Sequence, residues 1–280
     1  QFKKQLQKQG FPSTYITPLM ELHKQYPKWE FEAFKTGLDW NAAVAAESKV
    51  GLNLLSNSKS YDWKSTADGA YNWKTDKFVV FDGSTWVTAS VKAVRYYMDP
   101  RNFLGADTVF TFMLQGYDPS KQNEAGVRKI VKGTFLDTDK YVSYIMKAAK
   151  ETSYSPYVMA SKILQEIGKN NGNSPFISGK YPGYEGYYNY FNINATGNST
   201  EEKIKKALTY AKNNGWNTRE KAIIGGAEFC SDGYIKKGQN TYYYMDFNIK
   251  NPKLIWHEYA GAIHDASAKG RILSAAYTGD

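Results

Sequence analysis

The start and stop signals of helices in the second half of the chain constrain its fold more than any other feature. Ser155-Pro156 joins a hydroxyl cap to a first-turn proline, and Gly168 closes the segment. Between them Ala160, Ile163, Leu164 and Ile167 recur at i, i+3, i+4 and i+7, the stripe a helix uses to bury one face. Ser199 with Glu202 makes a capping box ahead of Ile204, Ala207, Leu208 and Ala211, and Asn214-Gly215 stops that run. Asp137 or Thr138 opens a helix to about Lys150, and Thr218 opens another through Ile223, Ile224 and Ala227. A helical core from residue 136 onward follows.

The first half reads differently. Pro12 to Tyr26 carries Ile16, Leu19, Met20 and His23 at helical spacing, and Trp29 to Phe34 alternates like a strand. Asp39 caps a helix through Val50, and Ser90 caps one that ends before Pro100. Phe78, Val80, Asp82-Gly83 and Trp86 suggest two strands joined at a turn. The expected architecture is mainly α, of α+β type: a lobe of short helices and a small β element over 1–135, packed on a helical core over 136–280. Residues 170–198 are crowded with Gly, Asn, Pro and Tyr and show no period, the mark of a long structured loop.

Several classes of chemistry are excluded. No run approaches the roughly 18 apolar residues of a membrane span. The 3 histidines, at 23, 257 and 264, are too scattered for a dedicated zinc site, and no metal is expected. Serine-hydrolase, nucleotide-phosphate and dinucleotide motifs do not occur, so no cofactor is expected. A single cysteine, Cys230, rules out an internal disulfide. The chain opens at Gln1 without methionine, which reads as a mature segment freed of its targeting signal. The formal charge of +9 favours polyanionic partners, and 16% aromatic residues suit stacking on sugars or bases. Nucleic-acid binding is disfavoured because the rings cluster with Gly and Asn in loops and no nucleic-acid motif is present.

Carboxylate chemistry remains. On the helix between Pro156 and Gly168, Glu166 falls beside Met159 and on the flank of Ile163, at the edge of the buried stripe. Partial desolvation and the negative end of the helix dipole would both raise the pKa of a carboxyl placed there, as a general acid requires. A solvated carboxylate paired with Lys162 or Lys169 is the alternative.

The segment Ala160-Ser161-Lys162-Ile163-Leu164-Gln165-Glu166-Ile167-Gly168, followed by the run from Tyr181 to Ile193, resembles the autolysin endo-β-N-acetylglucosaminidases of glycoside hydrolase family seventy-three. Gly215-Trp216, Lys221 to Ala227, Tyr234-Ile235 and Gly238 to Thr241 continue the resemblance in order. Tyr26-Pro27-Lys28-Trp29, Gly69-Ala70-Tyr71-Asn72-Trp73 and Tyr97 to Phe103 are similar to the stretch preceding the core in Gram-positive members. The resemblance implies a lysozyme-like helical core with a groove, Glu166 as catalytic acid, and cleavage of peptidoglycan glycan strands after N-acetylglucosamine. It implies substrate contacts from Tyr184, Glu185, Tyr188, Asn189 and Phe191, and from Gln239, Asn240, Tyr243 and Tyr259. It also implies a secreted, wall-associated protein meeting anionic wall polymers. The β-hairpin lobe bearing a second glutamate in some members is missing, because a helix from Thr200 follows directly. Glu185, Glu228, Asp232 and Asp246 stand as possible second carboxylates beside attack by the substrate's own acetamido group. A non-catalytic wall-binding module, a muramidase and a lytic transglycosylase are the competing readings.

Overall fold

The computed structural model describes residues 1–278. The chain resolves into two compact units, one made of Gln1–Met113 with the segment from Thr241 onward, the other of Leu114–Asn240. The boundary therefore lies at Met113/Leu114 and not at 135/136, and the carboxy-terminal segment returns to the first unit. Burial explains the return. Tyr243, Phe247 and Ile263 share one apolar cluster with Val44, Leu55, Val87 and Val94. The backbone of Leu54 closes it, donating to Gly261 and accepting from Ile263 at 2.7 and 2.9 Å.

In the first unit α1 (Phe2–Gln9) and α2 (Ser13–Gln25) bury Leu6, Ile16, Leu19 and Leu22 against each other. The alternating stretch after them forms no strand. Its neighbour is a side chain: Gln9 donates to the Phe31 carbonyl at 2.8 Å and accepts from Ala33 N–H at 2.9 Å. One amide satisfies one residue pair and cannot extend a ladder. α3 (Trp40–Glu47) is capped by Asp39 through Ala42 N–H at 2.9 Å and stops at Ser48, short of the expected Val50.

The β element comprises β1 (Leu54–Ser56), β2 (Tyr71–Asn72), β3 (Lys77–Phe78), β4 (Val80–Asp82) and β5 (Trp86–Thr88). β1, β5 and β4 form an antiparallel sheet in that order, and β2 pairs with β3. The turn between β4 and β5 uses Gly83 at φ 54°, a conformation side chains disfavour. α4 (Val91–Met98) begins at the expected Ser90 cap and ends before Pro100.

The second unit holds α5 (Glu124–Val131), α6 (Asp139–Thr152), α7 (Pro156–Ile167), α8 (Thr200–Asn213) and α9 (Arg219–Gly233). Ser155, Ser199 and Thr218 accept hydrogen bonds from the first turns they were expected to cap. α6 packs on α5, α7 and α9. Ile145, Met159, Ile163, Leu208 and Ile223 are fully buried. The chain then re-enters the first unit as α10 (Tyr242–Asp246) and α11 (Asp265–Thr278).

Two glycines let the loop before α8 and the α8–α9 connection approach α9. A Cβ at Gly226 would lie 2.1 Å from the Phe191 ring, and one at Gly225 equally close to the Trp216 indole nitrogen. Gly226→Ala should therefore destabilise the second unit by about 1–3 kcal/mol, despite alanine's higher helix propensity. Urea denaturation followed by tryptophan fluorescence measures this, and a gain in stability would show that Phe191 is not seated on α9.

Candidate active site

α7 is built to present its last turn. Met159, Ala160, Ile163 and Ile167 bury one face completely or nearly so, and Gly168 ends the helix at φ 101°. Glu166 stands at the edge of that face with 30% of its side chain exposed, neither in the core nor free in solvent. Lys162, one turn earlier, places its ammonium 3.7 Å from Glu166 Oε1.

A second residue grips this glutamate. The Asn192 amide donates to the Glu166 carbonyl at 2.9 Å and to Oε2 at 3.3 Å. Asn192 sits in the left-handed region at φ 51°, which asparagine tolerates better than most side chains. Its own Oδ1 is buried with no donor. Sequence reasoning passed over Asn192 for its neighbours in the Asn-x-Phe-x-Ile motif. The available signal was an asparagine beside a buried aromatic in a loop lacking glycine at that point.

The motif residues hold the loop in place. Asn189 is wholly buried, donates to the Ile193 and Ala207 carbonyls at 2.9 and 3.0 Å, and accepts from Ile193 N–H at 3.2 Å. Phe191 is buried against α9. Both were expected to touch substrate, and the loop's own backbone and the helix occupy them instead. Arg219 at the start of α9, absent from the sequence candidates, donates to the Ile177 carbonyl at 2.7 Å and the Tyr190 hydroxyl at 2.8 Å. Its guanidinium carbon lies 4.6 Å from the centre of the Tyr188 ring, covering one face of it. Burial, with Tyr141 next to it, pushes the Tyr190 phenol well above its ordinary value, so it stays a neutral anchor.

Other candidates fall in varied settings. Tyr184 is partly exposed and its hydroxyl meets Thr209 at 3.0 Å. Glu185 is exposed, and backbone N–H groups, its own and that of Gly183, hold its carboxyl below the ordinary range. Gln239 is buried, and the buried Asn240 Oδ1 has no donor. Tyr243 and Tyr259 belong to the first unit: Tyr243 is buried with its hydroxyl on the Met98 carbonyl at 2.6 Å, whereas Tyr259 is 43% exposed beneath Lys269. Of the possible second carboxylates, Asp232 pairs with Lys236 at 2.8 Å, Glu228 is exposed, and Asp246 is buried in the first unit. Among the described residues no cluster suited to a metal ion occurs, and no helix is long and apolar enough to cross a membrane.

A capped helical unit with a carboxylate on a short helix, in the same chain as a unit with small antiparallel sheets, fits the lysozyme-like α+β class. The fold aligns with the major bifunctional autolysin at TM-score 0.58 and 24% identity, covering 87% of this chain and 90% of that one. It aligns with glucosaminidase B of S. aureus at TM-score 0.58 and 26% identity, covering 85% and 84%. In sequence it is 30% identical over 200 residues to the bifunctional autolysin of Staphylococcus epidermidis, 69% of this chain. The chain belongs to the autolysin glucosaminidases. It spans 14% of that relative's length. No family model matches the chain.

The first unit carries a separate titrating pair. Glu47 is buried, its Oε2 accepts from Asn53 at 2.9 Å, and its Oε1 and both Glu258 oxygens are buried without a donor. Two ionised carboxylates cannot satisfy one another, but one shared proton makes an O–H···O bond between them. Burial raises Glu47 from 4.5 to about 7, and burial together with the Glu47 charge raises Glu258. A folded-state pKa above the unfolded one means that the native state holds more protons through that interval. The stability from neutral Glu47 is then complete below the unfolded value and is lost as pH rises through the folded one. Thermal stability should fall between about pH 4.5 and 7, and Glu47→Gln should flatten that fall. An unchanged slope in the variant would show that the pair does not titrate in the folded protein.

Proposed function

We propose that the chain is a peptidoglycan hydrolase, an endo-β-N-acetylglucosaminidase that breaks the β-1,4 bond after N-acetylglucosamine with Glu166 as general acid. The observation that carries the reading is the Glu166 carboxyl, half out of the core at the end of α7 and gripped by Asn192. A general acid must present one oxygen in a fixed direction to the leaving group; with the amide on Oε2 that oxygen is Oε1, which lies 3.7 Å from the Lys162 ammonium. The similarity to glucosaminidase B and to the bifunctional autolysins supports the same reading from outside the site.

In this reaction the Glu166 proton passes to the glycosidic oxygen as its bond to the anomeric carbon breaks, so the muramic unit leaves as an alcohol. The electron pair lost from that carbon must be replaced from the opposite face. Glu185 is engaged by its own turn, Asp232 by Lys236, Glu228 is exposed on α9, and Asp246 is buried in the first unit. That distribution favours the substrate's acetamido oxygen as the internal nucleophile, closing a five-membered ring. Water then opens the ring, with the Glu166 carboxylate taking its proton.

Secretion and association with the anionic wall complete the proposal, supported by the +9 formal charge. Adhesion of this kind weakens as salt screens it, which a protein held by shape alone would not show.

Glu166→Gln should keep its fold by circular dichroism and lose at least about a hundredfold of its lytic rate on purified walls. Retention of the wild-type rate would remove Glu166 as the general acid, whereas wall binding without lysis by the unmutated chain would leave a wall-binding module as the better description. Asn192→Ala should lower kcat roughly ten- to a hundredfold with little change in KM, because it disturbs aim and not binding. Borohydride reduction of the digest with mass spectrometry should find glucosaminitol at the new ends, while muramitol would mark a muramidase.

A further inference from the structure

The first unit carries exposed aromatic rings that its core does not use. Tyr61, Trp73 and Tyr96 are 59%, 65% and 42% exposed, an uncommon allotment for rings of this size unless they meet a partner. Two groups of edge-on contacts hold them: Tyr61 and Tyr71 meet Phe78 at 5.6 and 4.8 Å and Tyr71 meets Trp73 at 4.7 Å, while Tyr96 meets Trp63 at 5.5 Å. Tyr96 also lines a cavity of about 440 Å³, together with Lys59, Ser60, Trp63, Tyr97 and His264. None of these residues comes from the unit that holds Glu166.

The chemistry of this cavity is specific. Trp63 and Tyr96 stand at 89° to one another, making a corner of two ring faces. Such a corner suits the C–H face of a sugar and an acetamido methyl better than a flat aromatic ligand, which prefers parallel stacking. The nearby acid, Asp62, is already neutralised: it forms an ion pair with Lys92 and accepts from the Ser60 hydroxyl at 2.8 Å. Lys92 in turn lies 5.4 Å from the centre of the Trp63 ring. Lys59 makes no ion pair among the described residues, so the rim carries an uncompensated positive charge beside the rings. His264 is fixed by stacking on Trp86 at 5.9 Å and 16°. A volume of this size holds one or two sugar rings.

We propose that this cavity is a second saccharide site, taking an N-acetylated amino sugar that bears a carboxylate, with Trp63 and Tyr96 contacting the ring and Lys59 the carboxylate. It rests on the reading of the chain as a peptidoglycan enzyme only for the source of such a sugar. The site holds the strand on the first unit whether or not cleavage occurs, so binding can be read without turnover.

The test uses the full chain as Glu166→Gln, titrated with the disaccharide of N-acetylglucosamine and N-acetylmuramic acid, and in parallel with uncharged chitobiose. Proton–nitrogen NMR follows the Trp63 indole and the backbone amides of residues 59–63. The muramyl disaccharide should shift these signals saturably. Chitobiose should bind at least threefold more weakly, and 0.5 M salt should remove that difference. Lys59→Ala should equalise the two ligands, and Tyr96→Ala should weaken both about tenfold while leaving the circular dichroism spectrum unchanged. With Glu166 restored, Tyr96→Ala should keep its rate on short soluble glycans and lose retention on insoluble walls. No saturable shift at Trp63 up to 10-fold ligand excess over millimolar protein would overturn the proposal, as would equal affinity for both sugars in the Glu166→Gln chain. Loss of lytic activity has no bearing on these shifts, so failure of the hydrolase reading and failure of this site are separable.

Discussion

The loop between α7 and α8 depends on two buried polar side chains, Asn189 and Arg219. A stretch this rich in glycine, asparagine and tyrosine has no ladder to satisfy its backbone, and an unpaired buried carbonyl costs as much as a lost hydrogen bond. Asn189 takes up three such bonds from the loop and α8, and Arg219 ties the Ile177 carbonyl and the Tyr190 phenol to the start of α9. With the loop fixed at both points, Asn192 meets Glu166 without having to search for it. The Glu166 carboxyl, the proposed acid, is therefore oriented by the loop that these two side chains hold in place.

The same division of labour explains why so many tyrosines and asparagines surround one acid. Asn189, Phe191 and Tyr190 are structural, each saturated by neighbours within the second unit. Tyr188 offers one face to Arg219 and lies close against Gly179, where an added Cβ would come within 2.7 Å of its hydroxyl. Glu166 alone among the carboxylates considered combines partial exposure with an orienting amide and a neighbouring ammonium.

Much of this was legible beforehand. The caps at Ser155, Ser199 and Thr218, the glycine stop at 168 and the edge position of Glu166 are properties of local spacing, and local spacing survives into the fold. The errors share a cause. Residues 29–34 alternate as a strand does, yet a strand exists only where another backbone lies alongside, and here a glutamine side chain lies there instead. The boundary at 135/136 failed because composition shifts where helices become frequent, whereas units are defined by which residues bury one another.

The sequence by itself determined the helices of the second unit, the absence of zinc-binding and nucleotide-binding motifs, and the carboxylate that those helices present, since each follows from periodicity and capping within a few turns. The tertiary structure alone decided that Asn192 grips Glu166, that Arg219 anchors the loop, that Glu47 shares its burial with Glu258, and that the carboxy-terminal segment completes the first unit. These are contacts between residues far apart in the chain. Their energies come from desolvation and hydrogen-bond pairing across space, which no local pattern encodes.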